Sequence, residues 1–423
     1  MSAPENGAAP ARRVRPIELF RDGNYRRLWV TGGFVGVIRW LELLAISVFV
    51  LEVTGSVFQT ALMSFFRFLP MILLGAVMGT IGERVNRRRF MLGALCALTC
   101  ITFLLGMLAM TGQIAVWHVA IGAFLGGAMH TSEFPVRRAM LGEIAGPGRA
   151  GPALALDSVT NNGTRLLGPI GGGVLYDQIG LHGAYFLCTV LYGIGFLLTY
   201  RVRYQSAAQS AAHVHYLTNL VEGVRFVFRN RGLVGALLVT IIVNMFAVPF
   251  SAMIPVIGKN ELQLSASLIG VLASAEGVGA LIGAITITWL QPANFTRTYL
   301  IGSFIFLLGV GLFAGSNSFV IAIAVLLVAG LGHAGFSTTQ SAIMFAAATP
   351  EMRSRVLGVL ATCIGGGPIG VLHLGLLSDH LGAPVGIAIM VVEGVLLLLL
   401  TAVIWPELFR GTVIRTASEP TAK

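Results

Sequence analysis

Twelve long apolar stretches follow one another along this chain, at about 28–51, 57–82, 90–111, 114–141, 152–176, 183–200, 233–258, 265–290, 298–315, 318–348, 356–378 and 383–405. A helix needs about 20 apolar residues to cross the ~30 Å hydrocarbon core of a bilayer. Inside that core each backbone polar group must find its partner within its own segment, so each stretch is expected to be a transmembrane helix. A mean hydropathy of +0.83 with only 11% charged residues excludes a soluble or disordered chain. A transmembrane β-barrel is excluded as well, because its strands alternate apolar and polar residues and average near neutral. The expected fold class is an all-α membrane protein with twelve transmembrane helices.

The basic residues support that number. Of 28 Lys and Arg, 24 fall in the tails and on alternate loops, in clusters such as Arg84, Arg87, Arg88 and Arg89, or Arg137, Arg138 and Arg149. Lys259 alone sits on the opposite loops, and Arg39, Arg67 and Arg165 lie inside apolar stretches. A missed helix would scramble this alternation. The excess places the Arg-rich loops and both termini in the cytoplasm. With no soluble domain to carry a basic face, nucleic-acid binding is excluded. The N-terminus has no short apolar region before a small-residue cleavage site, so no cleaved leader is expected. Cys96, Cys100, Cys188 and Cys363 all fall in apolar stretches and read as small core residues, with no disulfide or metal spacing.

The two halves look like copies. Phe20-Arg21-Asp22 before the first span matches Phe228-Arg229-Asn230 before the seventh, 208 residues on. Leu125-Gly126 and Arg149 match Leu331-Gly332 and Arg355 at an offset of 206, and Gly168-Pro169-Ile170-Gly171 matches Gly367-Pro368-Ile369-Gly370. The expected organisation is an N-terminal tail (1–24), a six-helix bundle (25–203), a linker with an amphipathic helix (204–230), a second bundle (231–405) and a C-terminal tail (406–423). Two repeated bundles imply a site between them near the bilayer midplane, reached by rocking one half against the other.

After the second span the chain reads Gly79-Thr80-Ile81-Gly82-Glu83-Arg84-Val85-Asn86-Arg87-Arg88-Arg89. This loop resembles the Gly-x-x-x-Asp-Arg-x-Gly-Arg-Arg signature, motif A, of the major facilitator superfamily. Gly79, Arg84, Arg87 and Arg88 match. Glu83 replaces Asp and keeps the charge of a gating latch, and Asn86 replaces Gly, as the next best residue for a left-handed backbone. In the fifth span, Gly163, Gly168, Pro169, Gly172 and Gly173 resemble motif C, which in that family marks antiporters. Glycines there let the helix approach its partner in the other half, and Pro169 bends it. The basic residue of the family's fourth-span motif B is missing around Ala120-Ile121-Gly122-Ala123. Asn24-Tyr25-Arg26-Arg27-Leu28-Trp29, Arg67-Phe68-Leu69-Pro70, Pro135-Val136-Arg137-Arg138-Ala139 and Arg165-Leu166-Leu167-Gly168-Pro169 look like the bacterial branch that holds the enterobactin exporter and macrolide efflux proteins.

Charges inside spans cost at least roughly 2.5–3.5 kcal/mol each and ask for a reason. Arg39 and Glu42, three residues apart, share a helix face and are expected to pair as a substrate or proton site. Arg67 and Glu276 occupy matching repeat positions, 209 residues apart, and are candidates to pair across the pseudo-two-fold. Glu276, a titratable carboxyl in low-dielectric surroundings, is the better proton carrier. Asp157, Asn161 and Arg165 form one polar stripe expected to face the cavity. Glu133 is spaced for a local pair with Arg137, and His333 reads as a core histidine or a proton and substrate site, with His130 and His373 behind it. Glu393, midway along the last span, has no charged neighbour in sequence. There is no metal site, and Gly365-Gly366-Gly367 is not followed by the Lys-Ser/Thr of a nucleotide-binding loop, so ion gradients are the expected energy source.

The resemblance implies a bacterial inner-membrane secondary transporter. It would export an amphiphilic small molecule, drug-like or siderophore-like, in exchange for protons. Its partners are the cargo, the lipid bilayer and protons, with no cofactor and no nucleic acid, and it acts as a monomer rather than as an enzyme. A facilitator, an importer or a lipid-moving protein on the same scaffold is the alternative within the class. A non-transporting sensor is the alternative outside it.

Overall fold

The computed structural model describes residues 16–410 apart from 85, 147–148, 205–215, 291, 293 and 350–351; within helices the side chains of 16–17, 74–84, 216–220 and 354 lie outside the described residues. The helices are α1 (Gly23–Thr54), α2 (Val57–Arg84), α3 (Arg87–Met110), α4 (Val116–Ala145), α5 (Ala150–Tyr200) and α6 (Tyr216–Arg229). They continue with α7 (Arg231–Phe246, extended by further helical turns to Glu261), α8 (Ala266–Leu290), α9 (Phe295–Ala314) and α10 (Phe319–Ala347). Last come α11 (Arg353–Ile364 and Gly367–Leu381) and α12 (Ala383–Ile404).

At 1.5 Å per residue, the 51 residues of α5 measure about 76 Å, far more than one bilayer crossing. Gly180, with φ +74°, breaks this helix into two arms, which are the fifth and sixth spans. The sequence suggests a loop over 177–182; the turn is instead confined to this one glycine, which alone tolerates the left-handed backbone. Counting both arms, and with α6 as the linker helix, the described residues make twelve crossings and contain no strand.

The caps carry the duplication. Asp22 accepts from Asn24 N at 2.7 Å to start α1, and Asn230, at the matching position, accepts from Leu233 N at 3.3 Å to start α7. Asn86 accepts from Arg89 N at 3.2 Å to start α3, and Asn294, 208 residues on, accepts from Arg297 N at 3.0 Å to start α9. Each satisfies an N–H that helix geometry leaves free. This corrects the left-handed expectation for Asn86, whose φ is −57°. Its amide oxygen, rather than its backbone tolerance, suits it to the position. It also corrects the loop expectation, since Gly79 to Arg84 belong to α2.

Each half has its own apolar core, one around Tyr25, Leu28, Met91 and Tyr192, the other around Leu237, Tyr299, Phe306 and Phe313. The second core also takes in Leu44, Val48 and Leu51 of α1 and Ala61 of α2, so the halves share apolar packing at the Arg-poor ends. There α5 packs on α8 and α2 packs on α11. Polar contacts tie the same ends. Lys259 Nζ lies 2.6 Å from Glu52, which also accepts from Tyr176 at 2.6 Å. Asp177 on α5 accepts from Ala266 N and Ser267 N at 3.0 and 2.7 Å, capping α8 from the other half. Asp379 on α11 accepts from Phe58 N at 3.2 Å and Ser56 Oγ at 3.3 Å, capping α2 in the same way. Among the described residues, no hydrogen bond or ion pair joins the halves at their Arg-rich ends.

Candidate functional site

Two halves tied at one end leave a space between them at mid-depth. A cavity of about 210 Å³ lies there, walled by Arg39, Trp40 and Leu43 of α1, Ser64, Phe68 and Met71 of α2, Arg165 of α5 and Asn244 and Phe250 of the α7 segment. Glu276 of α8, Phe306 of α9, His333 of α10 and Pro368 of α11 complete the wall. Its lining is mostly apolar with a few polar groups converging on it, as small-molecule sites generally are.

The polar groups form one clasp. Glu276 sits ten residues into α8, about 15 Å deep and hence near the midplane. Its Oε2 meets Arg165 of the other half at 2.8 Å, and its Oε1 meets His333 Nδ1 at 2.5 Å. His333 stacks on Phe306 with centroids 4.6 Å apart, and the Arg165 guanidinium lies 5.1 Å from the Trp40 ring. Ser274 Oγ, half a turn before Glu276, donates to Leu166 O of α5 at 2.7 Å. Glu276 is 6% exposed, so its charge is satisfied almost wholly by these two partners.

The structure therefore brings Arg39, Arg165, Glu276 and His333 to one cavity, but not with the expected pairings. Glu42 is buried and pairs with Arg67 at 3.1 Å rather than with Arg39. Arg67 in turn is held inside its own half, donating to Arg39 O at 3.4 Å, and does not reach Glu276. Arg67, Arg39 and His130 line a second pocket of about 150 Å³ within the first half. His130 is held by Tyr192 at 3.2 Å.

Asp157 is not a cavity residue. It is 2% exposed and, about 12 Å along α5 from Arg165 toward the Arg-rich end, binds Arg137, which also holds Glu133 at 2.7 Å. Arg138 lies 3.6 Å from the same Asp157 carboxylate. Gly32 of α1 leaves room for this cluster, since a Cβ there would meet Arg137 Nε at 3.0 Å. Two of the three stripe positions thus serve different neighbours, because 51 residues of one helix pass several environments. Asn161 is half-buried and lines neither of these cavities.

Of the motif A positions, the side chains of Gly79, Glu83 and Arg84 lie outside the described residues. Arg87 binds Glu143 of the first half and lies 3.4 Å from Tyr204 Oη at the start of the linker, while Arg88 binds Tyr200 O of the first half. The motif C glycines divide. Gly172 faces α1, where a Cβ would meet Leu41 O at 2.7 Å, and Gly168 faces Trp40 and Val37 of the same helix. Gly173 faces the other half, where a Cβ would lie 2.9 Å from Ala266 C, and Gly163 faces open space. Gly270 of α8 returns the approach, since a Cβ there would lie 3.0 Å from Pro169 C.

Glu393 finds its partner in His373 of α11 at 3.0 Å, away from the cavity. Cys96 and Cys100 are exposed rather than core residues. Sequence reasoning missed Trp40, Ser64, Asp177 and Asp379. The two aspartates cap helices of the opposite half, so no local spacing announces them; an acidic residue at corresponding span ends of both repeats was the available signal.

A sequence profile of the Major Facilitator Superfamily matches residues 28–367 and 246–420. The chain belongs to the major facilitator superfamily. It is a multi-pass membrane transporter of the bacterial type, not an enzyme. Macrolide efflux protein A of Streptococcus pyogenes is 24% identical over 351 residues, 80% of this chain and 85% of the relative. Multidrug resistance protein MdtG of Salmonella paratyphi A is 28% identical over 211 residues, 49% of this chain and 50% of that one. The staphyloferrin A transporter of Staphylococcus aureus is 20% identical over 350 residues, 81% and 86%. Among solved structures, a bacterial homolog of the human lysosomal transporter Spinster, inward-facing and unoccupied, superposes with a TM-score of 0.72 at 13% identity, covering 94% of this chain and 99% of that one. The nucleoside transporter NupG gives 0.68 at 13% identity, covering 90% and 99%. These two likenesses concern the fold.

Proposed function

We propose that this transporter is a proton-coupled exporter of amphiphilic small molecules in the bacterial cytoplasmic membrane, working by alternating access as a monomer. The Arg-rich face is cytoplasmic and carries both termini, by the excess of positive charge on that side. The arrangement described above is then the state closed to the outside. The efflux names of the relatives from Streptococcus and Salmonella support the direction.

The observation that carries the mechanism is the Arg165–Glu276 pair at 2.8 Å between α5 and α8. It bridges the two halves beside the cavity, so it must part when the outer ends separate. Parting a charged pair in a low-dielectric site is costly unless each charge finds another partner. A proton on Glu276 removes one charge, and a cargo group facing Arg165 replaces the other. Either event frees the clasp, while the empty, deprotonated carrier stays locked. Cargo is carried out with Glu276 ionised and dissociates outside, Glu276 then takes a proton from that side, and the protonated carrier returns to release its proton inside. His333, on the other carboxylate oxygen, gives the proton a way off toward α10.

Everted vesicles with an imposed pH gradient test this with a panel of labelled amphiphiles. Wild type accumulates at least one of them in a gradient-dependent manner. Glu276→Gln retains binding of that compound but loses the dependence on the gradient. Gradient-driven accumulation intact in Glu276→Gln rules the mechanism out.

A further inference from the structure

Arg39 stands apart from the other arginines of the membrane interior. Arg67 holds Glu42, Arg137 holds Glu133 and Asp157, and Arg165 holds Glu276. Arg39 meets no carboxylate among the described residues. Its guanidinium lies 5.6 Å from the Trp40 ring and 6.0 Å from the Phe68 ring. The charged groups facing it are Arg67 of α2, Glu133 of α4 and Arg165 of α5, and Glu133 is committed to Arg137 at 2.7 Å. An unpaired cation at mid-depth, midway along α1, asks for a counter-charge that the described protein does not supply.

Its position says where that charge comes from. Arg39 lines both the 210 Å³ cavity between the halves and the 150 Å³ pocket of the first half. A second group waits in the same wall. Ser64 Oγ is buried with no hydrogen-bond partner among the described residues, and Ser64, 2% exposed, lines the larger cavity. Around them Leu43, Phe68, Phe250 and Phe306 offer apolar surface.

We infer that the cargo carries an anionic oxygen group, a carboxylate in the simplest case, on an aromatic or aliphatic body. Arg39 holds this group through its planar fork of N–H donors and Ser64 donates to it. The body lies against the aromatic wall, next to the clasp. The inference rests on the exporter reading and narrows its substrate class, since a cationic amphiphile would bring one more positive charge beside Arg39 and Arg67.

The test uses the purified full chain in micelles, with thermal unfolding read against naphthylacetate, its neutral amide naphthylacetamide and the cation naphthylmethylammonium. Naphthylacetate is expected to raise the unfolding midpoint in a dose-dependent way, with an apparent affinity about tenfold or more above the other two. Arg39→Gln abolishes that preference, Ser64→Ala weakens it, and Arg39→Lys keeps part of it because the charge remains without the fork. Where Arg39→Gln does not give folded protein, Arg39→Lys and Ser64→Ala carry the comparison. No stabilisation by naphthylacetate in wild type, equal affinity for the amide or the cation, or an undiminished preference in the variants overturns the inference. Gradient-driven movement of a cationic dye in everted vesicles, unchanged by Arg39→Gln, also overturns it and leaves the exporter reading standing. Naphthylacetate bound through Arg39 with no gradient-driven movement of any probe leaves the site and removes the exporter reading.

Discussion

Replacing the glycines at the closed end should open it. A Cβ at Gly173 would lie 2.9 Å from Ala266 C, one at Gly270 3.0 Å from Pro169 C, and one at Gly375 2.8 Å from Ala61 Cβ. Carbon atoms settle at about 3.5–4.0 Å, so each alanine forces its helix pair apart by roughly 0.5–1 Å. Two of the three obstacles are backbone atoms, which cannot rotate aside. Overpacking of this kind costs about 1–3 kcal/mol, and it falls only on the state in which α5 meets α8 and α11 meets α2. The better helix propensity of alanine acts in both states and cancels. A bias of 1–3 kcal/mol shifts a two-state equilibrium about 5–150-fold. Spin labels on the exposed residues Val53 and Asn260, in a background without the four cysteines, report the distance between the outer ends of α1 and the α7 segment. Gly173→Ala and Gly270→Ala should each enlarge the long-distance population, and Gly375→Ala should do so from the other helix pair. Distance distributions unchanged in all three would refute the argument that these contacts hold the outer side closed.

The aspartate caps make a related prediction. Asp177→Ala and Asp379→Ala each remove a cap worth about 0.5–2 kcal/mol, and both should enlarge the same long-distance population; opposite signs for the two would contradict their equivalence across the repeat. Arg137→Ala leaves Glu133 and Asp157 buried without their shared partner, so the unfolding midpoint of the purified protein should fall sharply, by about 3–5 kcal/mol of stability. Among the described residues the ion-pair partner of Glu393 is His373, away from the cavity, so gradient-driven transport in Glu393→Gln should stay within about twofold of wild type.

Much of this fold was legible in the sequence because the bilayer leaves few choices. Apolar length gave the spans. The repeat landmarks at Asp22 and Asn230 turn out to be helix caps, whose geometry tolerates few residue types. Pairing was not legible. Glu42 shares a face with Arg39 on α1, yet Arg67 of α2 reaches it first, and Glu276 finds Arg165 rather than its repeat mate Arg67. Helical spacing says which residues share a face but not what that face meets. The same limit hid Asp157, which reads as one stripe with Arg165 but packs against α4. His373 supplies the partner for Glu393 that the sequence of α12 lacks, because that partner lies 20 residues away on the preceding helix.

The central claim is that a proton on Glu276 releases the clasp between the halves. Distances between labels at Val53 and Asn260, followed as pH falls, test it directly in wild type and in Glu276→Gln. Wild type should gain long-distance population as the pH drops, while Glu276→Gln should show a high population at every pH with the slope removed. A wild-type pH response preserved in Glu276→Gln would mean that some other group senses the proton.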